Sequence, residues 1–298
     1  MGLLPMDIDI LPPTDDRIFK AILTSPEAKP FLMKLIAGLI GRRVIDVTVH
    51  NNEIPVIDTQ EKGERFDVNA KIDDGSQVNL EMQASRMEED RGGEHKNLKG
   101  KSVYYLCDLH SSQPAKGQQR YDKLVRTYQV TFCSYTVFHH RKEYVNSFSM
   151  RHDETGELLS DAIQTVIVEL SKLEDVLKKP VETMMDLEKF SVFFEYADNP
   201  IYRETVNKVI DSEEVLQVAT NLLMSISQDE RERAIYRSRR KFQMDHASDI
   251  ATAEDRGREQ GRTDGMLDVA RKALQMNMSL DDIVKLTGLS HEEVENLK

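Results

Sequence analysis

The stretch from Arg65 to Ala84, RFDVNAKIDDGSQVNLEMQA, constrains the fold most strongly, because it alternates apolar and polar residues on both sides of a turn signal. Successive side chains of a β-strand point to opposite faces, so the alternation predicts two strands, at about 65–72 and 76–84. The intervening Asp73-Asp74-Gly75 is typical of a hairpin turn. The sequence therefore predicts a hairpin with one apolar and one polar face.

The register of this hairpin follows from the requirement that directly opposed residues share a face. A two-residue loop would mix the faces, since it opposes Val68 to Glu81. A three-residue loop, with Gly75 in a left-handed bulge, opposes Val68 to Leu80 and keeps both faces consistent. That register also sets Asp67 directly across from Glu81.

Opposed positions would hold the two carboxylates of Asp67 and Glu81 on β-carbons about 5 Å apart. Like charges so close repel each other and raise one pKa unless a cation neutralises them. A divalent cation prefers hard oxygen ligands and retains coordination sites for water and phosphate. The pair therefore predicts a metal site, with an exposed polar sheet face that carries two acids by chance as the alternative.

Charge limits the function classes without excluding a nucleic-acid partner. The net charge of −12 over 298 residues is the wrong sign for a simple nucleic-acid binder. Residues 1–130 are close to neutral, however, with 18 Lys and Arg against 20 Asp and Glu. A local basic track for phosphates remains compatible with this distribution.

The sequence offers no sign of a membrane or secretory destination. No run approaches the roughly 20 apolar residues of a membrane span, and the N-terminus lacks a basic region followed by an apolar one. Cys107 and Cys133 both lie in apolar surroundings, so we expect buried free thiols in a reducing compartment. A cytoplasmic protein without a membrane partner is the expectation.

Helical and strand periodicities extend on both sides of the hairpin. An N-terminal helix follows the capping residues Asp15 and Asp16, and a second helix ends at Gly41. The remaining expected elements are one or two strands at 43–58, a helix at 94–110, a short helix near 118–125, strands at 126–138, 144–150 and 162–170, and helices at 182–196, 202–225 and 228–276.

The C-terminal part carries two further patterns. Gly257, Gly261 and Gly265 form one stripe of the predicted helix at 228–276. Either a second helix approaches closely there, as in an oligomer seam, or the helix is weakly stable, since each Gly costs about 1 kcal/mol relative to Ala. The last twenty residues predict a two-helix unit whose second helix, capped by Ser290, carries three Glu. That charge favours protein contacts over DNA recognition.

Asp67 and Glu81-x-Gln83 on a strand–turn–strand resemble the PD-(D/E)XK nuclease superfamily, in which an Asp and a Glu-x-Lys on adjacent strands bind magnesium. The order and spacing of further elements, over nearly the whole chain, resemble one branch, the recombination-promoting nuclease (Rpn) and PD-(D/E)XK transposase family. These elements are Asp16-Arg17-Ile18-Phe19-Lys20, Asn79-Leu80-Glu81-Met82-Gln83, Tyr104-Tyr105, Gly117, Tyr121 and Ile167-Val168-Glu169-Leu170-Ser171-Lys172.

The resemblance implies an α/β, restriction-endonuclease-like core of α-β-β-β-α-β type, a mixed sheet flanked by helices, with a helical C-terminal region. It implies hydrolysis of DNA phosphodiesters with Mg²⁺, or Mn²⁺ in its place. Asp67 and Glu81 would bind the metal with the Met82 backbone carbonyl as a third ligand, and Asp16 would lie near the ion. The ion would polarise the phosphate and lower the pKa of the attacking water.

Gln83 stands where the superfamily pattern has Lys, a replacement that is common in this branch. A glutamine amide orients water but adds no positive charge. Lys71 is one candidate for the missing charge, and a solvated surface Lys is the alternative. A phosphate track beside the site, or scattered surface charge, is expected of Lys96, Lys99, Lys101, Lys116, Arg120, Lys123 and Arg126. His139-His140 is expected to be a strand end.

We expect a nuclease-like domain at 1–172, a helical region at 173–250, and a charged Gly-containing helix with a two-helix unit at 251–298. The expected function is a Mg²⁺-dependent DNA endonuclease of low sequence preference with catalytic residues Asp67, Glu81, Gln83 and Asp16. One alternative is a nuclease-fold protein that binds DNA or a protein without useful catalysis. Another is that the tail is the working part, through homo-oligomerisation or regulation.

Overall fold

The computed structural model describes residues 3–50, 68–84, 96–113 and 120–297. The helices and strands are α1 Asp16–Thr24, α2 Lys29–Ile40, β1 Val47–His50, β2 Val68–Ile72, β3 Gln77–Gln83, α3 Lys96–Ser111, β4 Thr127–Cys133, β5 Val145–Arg151, β6 Leu158–Glu169, α4 Glu174–Leu177, α5 Asp186–Tyr196, α6 Arg203–Asp211, α7 Glu214–Gln228, α8 Glu230–Gln275, α9 Leu280–Thr287 and α10 His291–Glu295. A 3₁₀ turn at Tyr121–Lys123 stands where a short helix was expected.

Within the described residues, six strands form one mixed sheet in the order β1-β2-β3-β4-β6-β5. The first three strands pair antiparallel, β3–β4 and β4–β6 pair parallel, and β5 pairs antiparallel with β6. Helix α3 is the crossover between the parallel strands β3 and β4. The expected α/β core, a mixed sheet flanked by helices, is confirmed.

The hairpin of β2 and β3 has the register that its alternating faces predict. Val68 pairs with Leu80 and Ala70 with Val78. The loop is closed by Gly75 N–H, which donates to the carbonyl of Ile72 at 2.8 Å, and Gly75 has φ +88°, a backbone conformation that favours glycine. The three-residue loop is confirmed. The predicted opposition of Asp67 to Glu81 lies outside the described residues.

The two faces of the sheet are covered differently. On one face, the Phe19 ring of α1 lies 5.5 Å from Phe132 of β4 and 5.1 Å from Phe194 of α5, centroid to centroid. Phe31 of α2 packs edge-on against Phe190 at 5.0 Å. This aromatic core joins the helices after residue 172 to the N-terminal helices. Helix α3 covers the other face, where it packs against β4 and β6.

Contacts divide the chain into two compact units, Met1–Arg233 and Ala234–Lys298. This division differs from the expected parts 1–172, 173–250 and 251–298, because α5 packs onto α1 and α2. The second unit has a small core built from the end of α8 with α9 and α10, namely Ala270, Ala273, Ile283, Leu289 and Val294. Ser290 and Glu293 form the predicted capping box at the start of α10.

Several boundaries differ from the sequence predictions for local reasons. The helix expected at 202–225 is two helices, since Glu213 has an extended backbone and its carboxylate accepts a hydrogen bond from Lys34 Nζ at 2.6 Å. The strand expected at 126–138 ends at Cys133, and β6 begins at Leu158, earlier than predicted. Cys133 is a buried thiol, as expected, whereas the expectation that Cys107 is buried is wrong, because Cys107 is exposed on α3. Within the described ranges, no helix is both long and apolar enough to cross a membrane.

Candidate active site

Strand β3 carries the candidate site on the face that α3 covers. Alternation along the strand puts Asn79, Glu81 and Gln83 on this face, and β3 lies inside the sheet between β2 and β4. Asn79 donates from Nδ2 to Gln129 Oε1 of β4 at 2.8 Å. Asn79 and Glu81 are buried, whereas Gln83 is partly exposed at the carboxyl end of the strand.

A polar layer joins α3 to the sheet beside this site. The hydroxyls of Ser102 and Thr131 lie 3.2 Å apart, and His110 Nδ1 lies 2.9 Å from Thr127 Oγ1. These two contacts show that α3 runs antiparallel to β4. The amino-terminal half of α3 therefore lies at the end of the sheet where Glu81 and Gln83 are found.

Lys101 of α3, which the sequence indicated only as one candidate for a phosphate track beside the site, contacts the site residues directly. Its Nζ forms an ion pair with Glu81 Oε1 and lies 3.4 Å from Gln83 Oε1. The same ammonium lies 5.5 Å from the centroid of the Tyr105 ring. A positive charge thus stands beside both residues of the Glu-x-Gln strand, although it comes from a helix.

A signal for Lys101 was present in the helical periodicity. The buried residues Leu98, Ser102 and Leu106 form the stripe of α3 that faces the sheet, and Lys101 lies on that stripe. A lysine on the buried side of a helix requires an opposite charge, because burial disfavours the charged form. Periodicity alone did not show that the partner would be Glu81, whose side chain is 7% exposed against 28% for Lys101.

The pKa of the Cys133 thiol, inside the sheet, responds to the charged residues around the site. Burial raises the pKa of its thiol well above the ordinary range, the charges of Glu169 and Glu81 raise it further, and Lys101 lowers it. All three charged groups therefore lie close to the end of β4. Cys133 stays a neutral thiol, so we exclude it as a nucleophile.

The structure places the other predicted site residues as follows. Asp67 lies outside the described residues. Asp16 is the first residue of α1, and its Oδ1 accepts the Arg17 N–H at 2.8 Å, while Asp15 is the N-cap. The Met82 side chain is buried, and by the alternation of the strand it faces away from Glu81. The roles of Asp16 and of the Met82 carbonyl as metal contacts stay predictions.

The suggestion that Lys71 supplies the missing charge is wrong. Lys71 is exposed and pairs in register with Gln77, at the turn end of the hairpin. Glu81 lies four residues further along β3, about 13 Å away at the rise of an extended strand. The cation that contacts Glu81 is Lys101, at the carboxyl end of β3.

The expected phosphate track does not form one surface. Lys99 and Lys101 lie at the site end of α3, whereas Arg126 precedes β4 and forms an ion pair with Asp161 at the opposite end of the sheet. Arg120 pairs with Asp122 in the 3₁₀ turn nearby. The Lys96 side chain and Lys116 lie outside the described residues.

The donor chemistry of the site fits a divalent cation. Glu81 contributes a carboxylate, a hard ligand of the kind that Mg²⁺ and Mn²⁺ prefer, whereas the amide oxygen of Gln83 faces Lys101. Across the described ranges, no three His, Cys, Asp or Glu side chains converge into a metal cluster. The second carboxylate of the predicted pair, Asp67, belongs to the segment outside those ranges.

A mixed sheet flanked by helices, with an acid and a glutamine two positions apart on an interior strand, defines an α/β nuclease-like fold. The chain matches the PD-(D/E)XK nuclease family transposase over residues 13–253, well over half of its length, and it belongs to that family. No curated protein and no solved structure matches the chain significantly. Membership supports a nuclease-type function, and PD-(D/E)XK nucleases generally use divalent metal ions.

Proposed function

We propose that the protein is a Mg²⁺-dependent DNA endonuclease that hydrolyses phosphodiesters with little sequence preference. The observation that carries the proposal is the contact of Lys101 with both Glu81 and Gln83. Lys101 supplies the positive charge that a Lys would bring in a Glu-x-Lys strand and that Gln83 does not. Low sequence preference is supported by the acidic helix α10, whose three Glu disfavour insertion beside phosphates.

In this proposal Asp67 and Glu81 hold the metal ion with the Met82 carbonyl, and Asp16 contacts the ion or a water bound to it. The register of the described hairpin supports the pairing, because Val68 pairs with Leu80, and the same register continued by one residue would set Asp67 opposite Glu81. When bound, the ion polarises the phosphate and lowers the pKa of the attacking water.

The remaining roles belong to side chains of the chain itself. Lys101 balances the charge of the buried Glu81 carboxylate, since the two form an ion pair. The same ammonium offsets negative charge that develops on the phosphate during attack. With its Oε1 turned toward Lys101, Gln83 has its amide N–H groups as donors for a water or a phosphate oxygen.

The test is cleavage of supercoiled plasmid by the purified full chain with Mg²⁺ or Mn²⁺, beside Asp67→Ala, Glu81→Gln and an EDTA control. Exposed Glu157→Gln is the matched control for Glu81→Gln, because it makes the same change away from the site. We expect cleavage by the parent and by Glu157→Gln alone. Folded parent protein that cuts with neither metal would favour the alternative, a nuclease-fold protein that binds DNA or a protein partner.

We propose in addition that the chain forms a homo-oligomer through α8. Residues 230–241 hold six basic and two acidic residues, whereas residues 242–268 hold seven acidic and three basic ones, so two antiparallel copies are complementary in charge. A Cβ added to Gly257, Gly261 or Gly265 would meet nothing within 4 Å in the chain itself. Sedimentation of the parent and of the triple Ala variant tests the seam; a monomeric parent contradicts it.

A further inference from the structure

A basic and aromatic surface lies beside the site end of α3. Lys99 Nζ lies 5.3 Å from the centroid of the Phe138 ring. The guanidinium carbon of Arg141 lies 5.9 Å from the ring centroids of both Phe138 and Phe148. Lys142 is exposed next to Arg141. We call these five residues the Phe138 surface.

The loop that presents this surface is held by a buried carboxylate. Glu169 Oε1 accepts the backbone N–H groups of Val137 at 2.6 Å and Phe138 at 2.9 Å. Lys172 Nζ donates to Glu169 Oε2 and to the Phe138 carbonyl, each at 2.8 Å. The chain therefore leaves β4 in a defined direction, and His139, the first of the four basic residues at 139–142, follows an anchored turn.

Among the described residues, the net charge of the surface is positive after the neighbouring acids are counted. Lys142 lies close enough to Asp175 to help lower the pKa of that carboxyl, but Asp175 is held mainly by Lys178 at 2.9 Å. Glu143 is the adjacent acid in the chain and is exposed. Within the described part of the molecule, the Arg141 side chain contacts rings and no carboxylate.

The position of the surface relates it to the candidate site. Lys99 and Lys101 are two residues apart on α3, and one faces Phe138 while the other faces Glu81. Cys133, the last residue of β4, lies near both Glu81 and Glu169. The anchored loop thus starts from the end of the sheet where the proposed chemistry occurs.

Resting on the proposed DNA-cleaving function, we propose that the Phe138 surface binds the DNA phosphate backbone next to the scissile bond. Arg141 is the central contact. The rings of Phe138 and Phe148 hold its guanidinium by cation–π contacts, which leave the N–H fork in the ring plane for a phosphate. Lys99 and Lys142 flank it as point charges. Such contacts bind DNA irrespective of sequence.

The test measures binding in EDTA, so that cleavage plays no part. Fluorescence anisotropy of a labelled 30-base-pair duplex is recorded over a range of NaCl concentrations for the parent, for R141A/K142A and for R120A/K123A. The last variant removes the same charge at the opposite end of the sheet and is the matched control. All four positions are exposed, so we expect neither variant to lose stability. Thermal denaturation of each variant checks this.

We expect R141A/K142A to bind at least tenfold more weakly than the parent, and its slope of log K against log salt to be smaller by about 2, roughly one per lost phosphate contact. The control should keep the parent affinity within twofold and the parent slope. Equal losses in both variants, no loss in R141A/K142A, or a parent that binds no DNA would each overturn the proposal. Binding that depends on Arg141 and Lys142 in a protein that cuts nothing would sustain it while refuting the endonuclease.

Discussion

Lys101 of α3 forms an ion pair with Glu81 of β3 and lies 3.4 Å from Gln83, so one ammonium from a helix serves two adjacent positions of one strand face. Strand β3 itself carries no Lys or Arg on this face. An amide at Gln83 avoids setting a second positive charge beside Lys101, and like charges at that distance would destabilise each other.

Moving the charge between the two positions tests this arrangement. Lys101→Gln should lower kcat/KM for DNA cleavage at least about 100-fold, the usual loss when one donor to a developing charge is removed. The double variant Lys101→Gln/Gln83→Lys returns a cation to the same place and should recover activity to within tenfold of the parent. Plasmid cleavage rates at saturating Mg²⁺ measure both.

The melting temperature of each variant in EDTA is the control, because Lys101→Gln also leaves the buried Glu81 without its ion pair, a change that can cost about 3–5 kcal/mol. Full activity in Lys101→Gln would show that the helix charge is dispensable. A double variant that is folded but as inactive as the single one would show that the direction of approach matters as well as the charge.

Metal binding should be visible without catalysis. A ligand that binds only the folded state raises stability by about 2.7 kcal/mol at a concentration of 100 Kd. Mg²⁺ or Mn²⁺ should therefore raise the Tm of the parent and of Glu157→Gln, and EDTA should reverse the shift. Glu81→Gln should show no shift. The same shift in Glu81→Gln and in the parent would place the ion elsewhere.

Glu169 should be essential for the position of the loop after β4. The carboxylate is fully buried and accepts from Val137 N–H, Phe138 N–H, Asn146 Nδ2 and Lys172 Nζ. Glu169→Gln keeps the shape but turns an amide NH₂ toward donors, so it should cost about 3 kcal/mol of unfolding free energy. Urea denaturation measures this loss, and exposed Glu157→Gln should stay within about 0.5 kcal/mol of the parent. A neutral Glu169→Gln would show that the loop does not depend on the carboxylate charge.

Glu195 of α5 should make stability fall as pH rises. Burial, together with the charge of Asp198, raises its pKa to about 7. The unfolded chain loses this proton near pH 4.5 and the folded one near pH 7, so the folded state binds more protons in that window. The unfolding free energy should fall by up to roughly 3 kcal/mol between pH 5 and 7, then level off.

Glu195→Gln should remove most of that slope and be more stable than the parent at pH 8. Some slope should remain, because burial also raises the pKa of Asp198. Urea denaturation at pH 5 and pH 8 measures the difference, with exposed Glu182→Gln as the control. An unchanged slope in Glu195→Gln would assign the pH dependence to another group.

The local half of the fold was predictable because it follows from patterns within short segments. Alternation along β2 and β3 and the glycine at position 75 determine the hairpin register before any tertiary contact is known. Capping signals such as Asp15 and the Ser290–Glu293 box mark helix starts for the same reason. The caps depend on residues no more than three positions away, and the hairpin register depends on residues within one short segment.

The other half depends on contacts between distant segments. Glu213, where the predicted helix is interrupted, pairs with Lys34, 179 residues earlier, and Lys101 of α3 pairs with Glu81 of β3. The strand expected to continue to residue 138 ends at Cys133, and the N–H groups of Val137 and Phe138 donate to Glu169 instead of to a neighbouring strand. Sequence periodicity contains no information about such partners. The position of Asp67 stays a prediction.

The hydrogen bonds between Ser102 and Thr131 and between His110 and Thr127 restrict where α3 can rest on the sheet. Apolar packing tolerates small shifts of a helix, whereas a donor and its acceptor must meet at one distance and angle. A slip of α3 by a single turn would break both contacts and carry Lys101 about 5.4 Å from its place. These hydrogen bonds therefore fix the position of α3 along the sheet. Substitutions that replace them with apolar contacts should make the position of the Lys101 ammonium less well defined, even where they increase the stability of the fold.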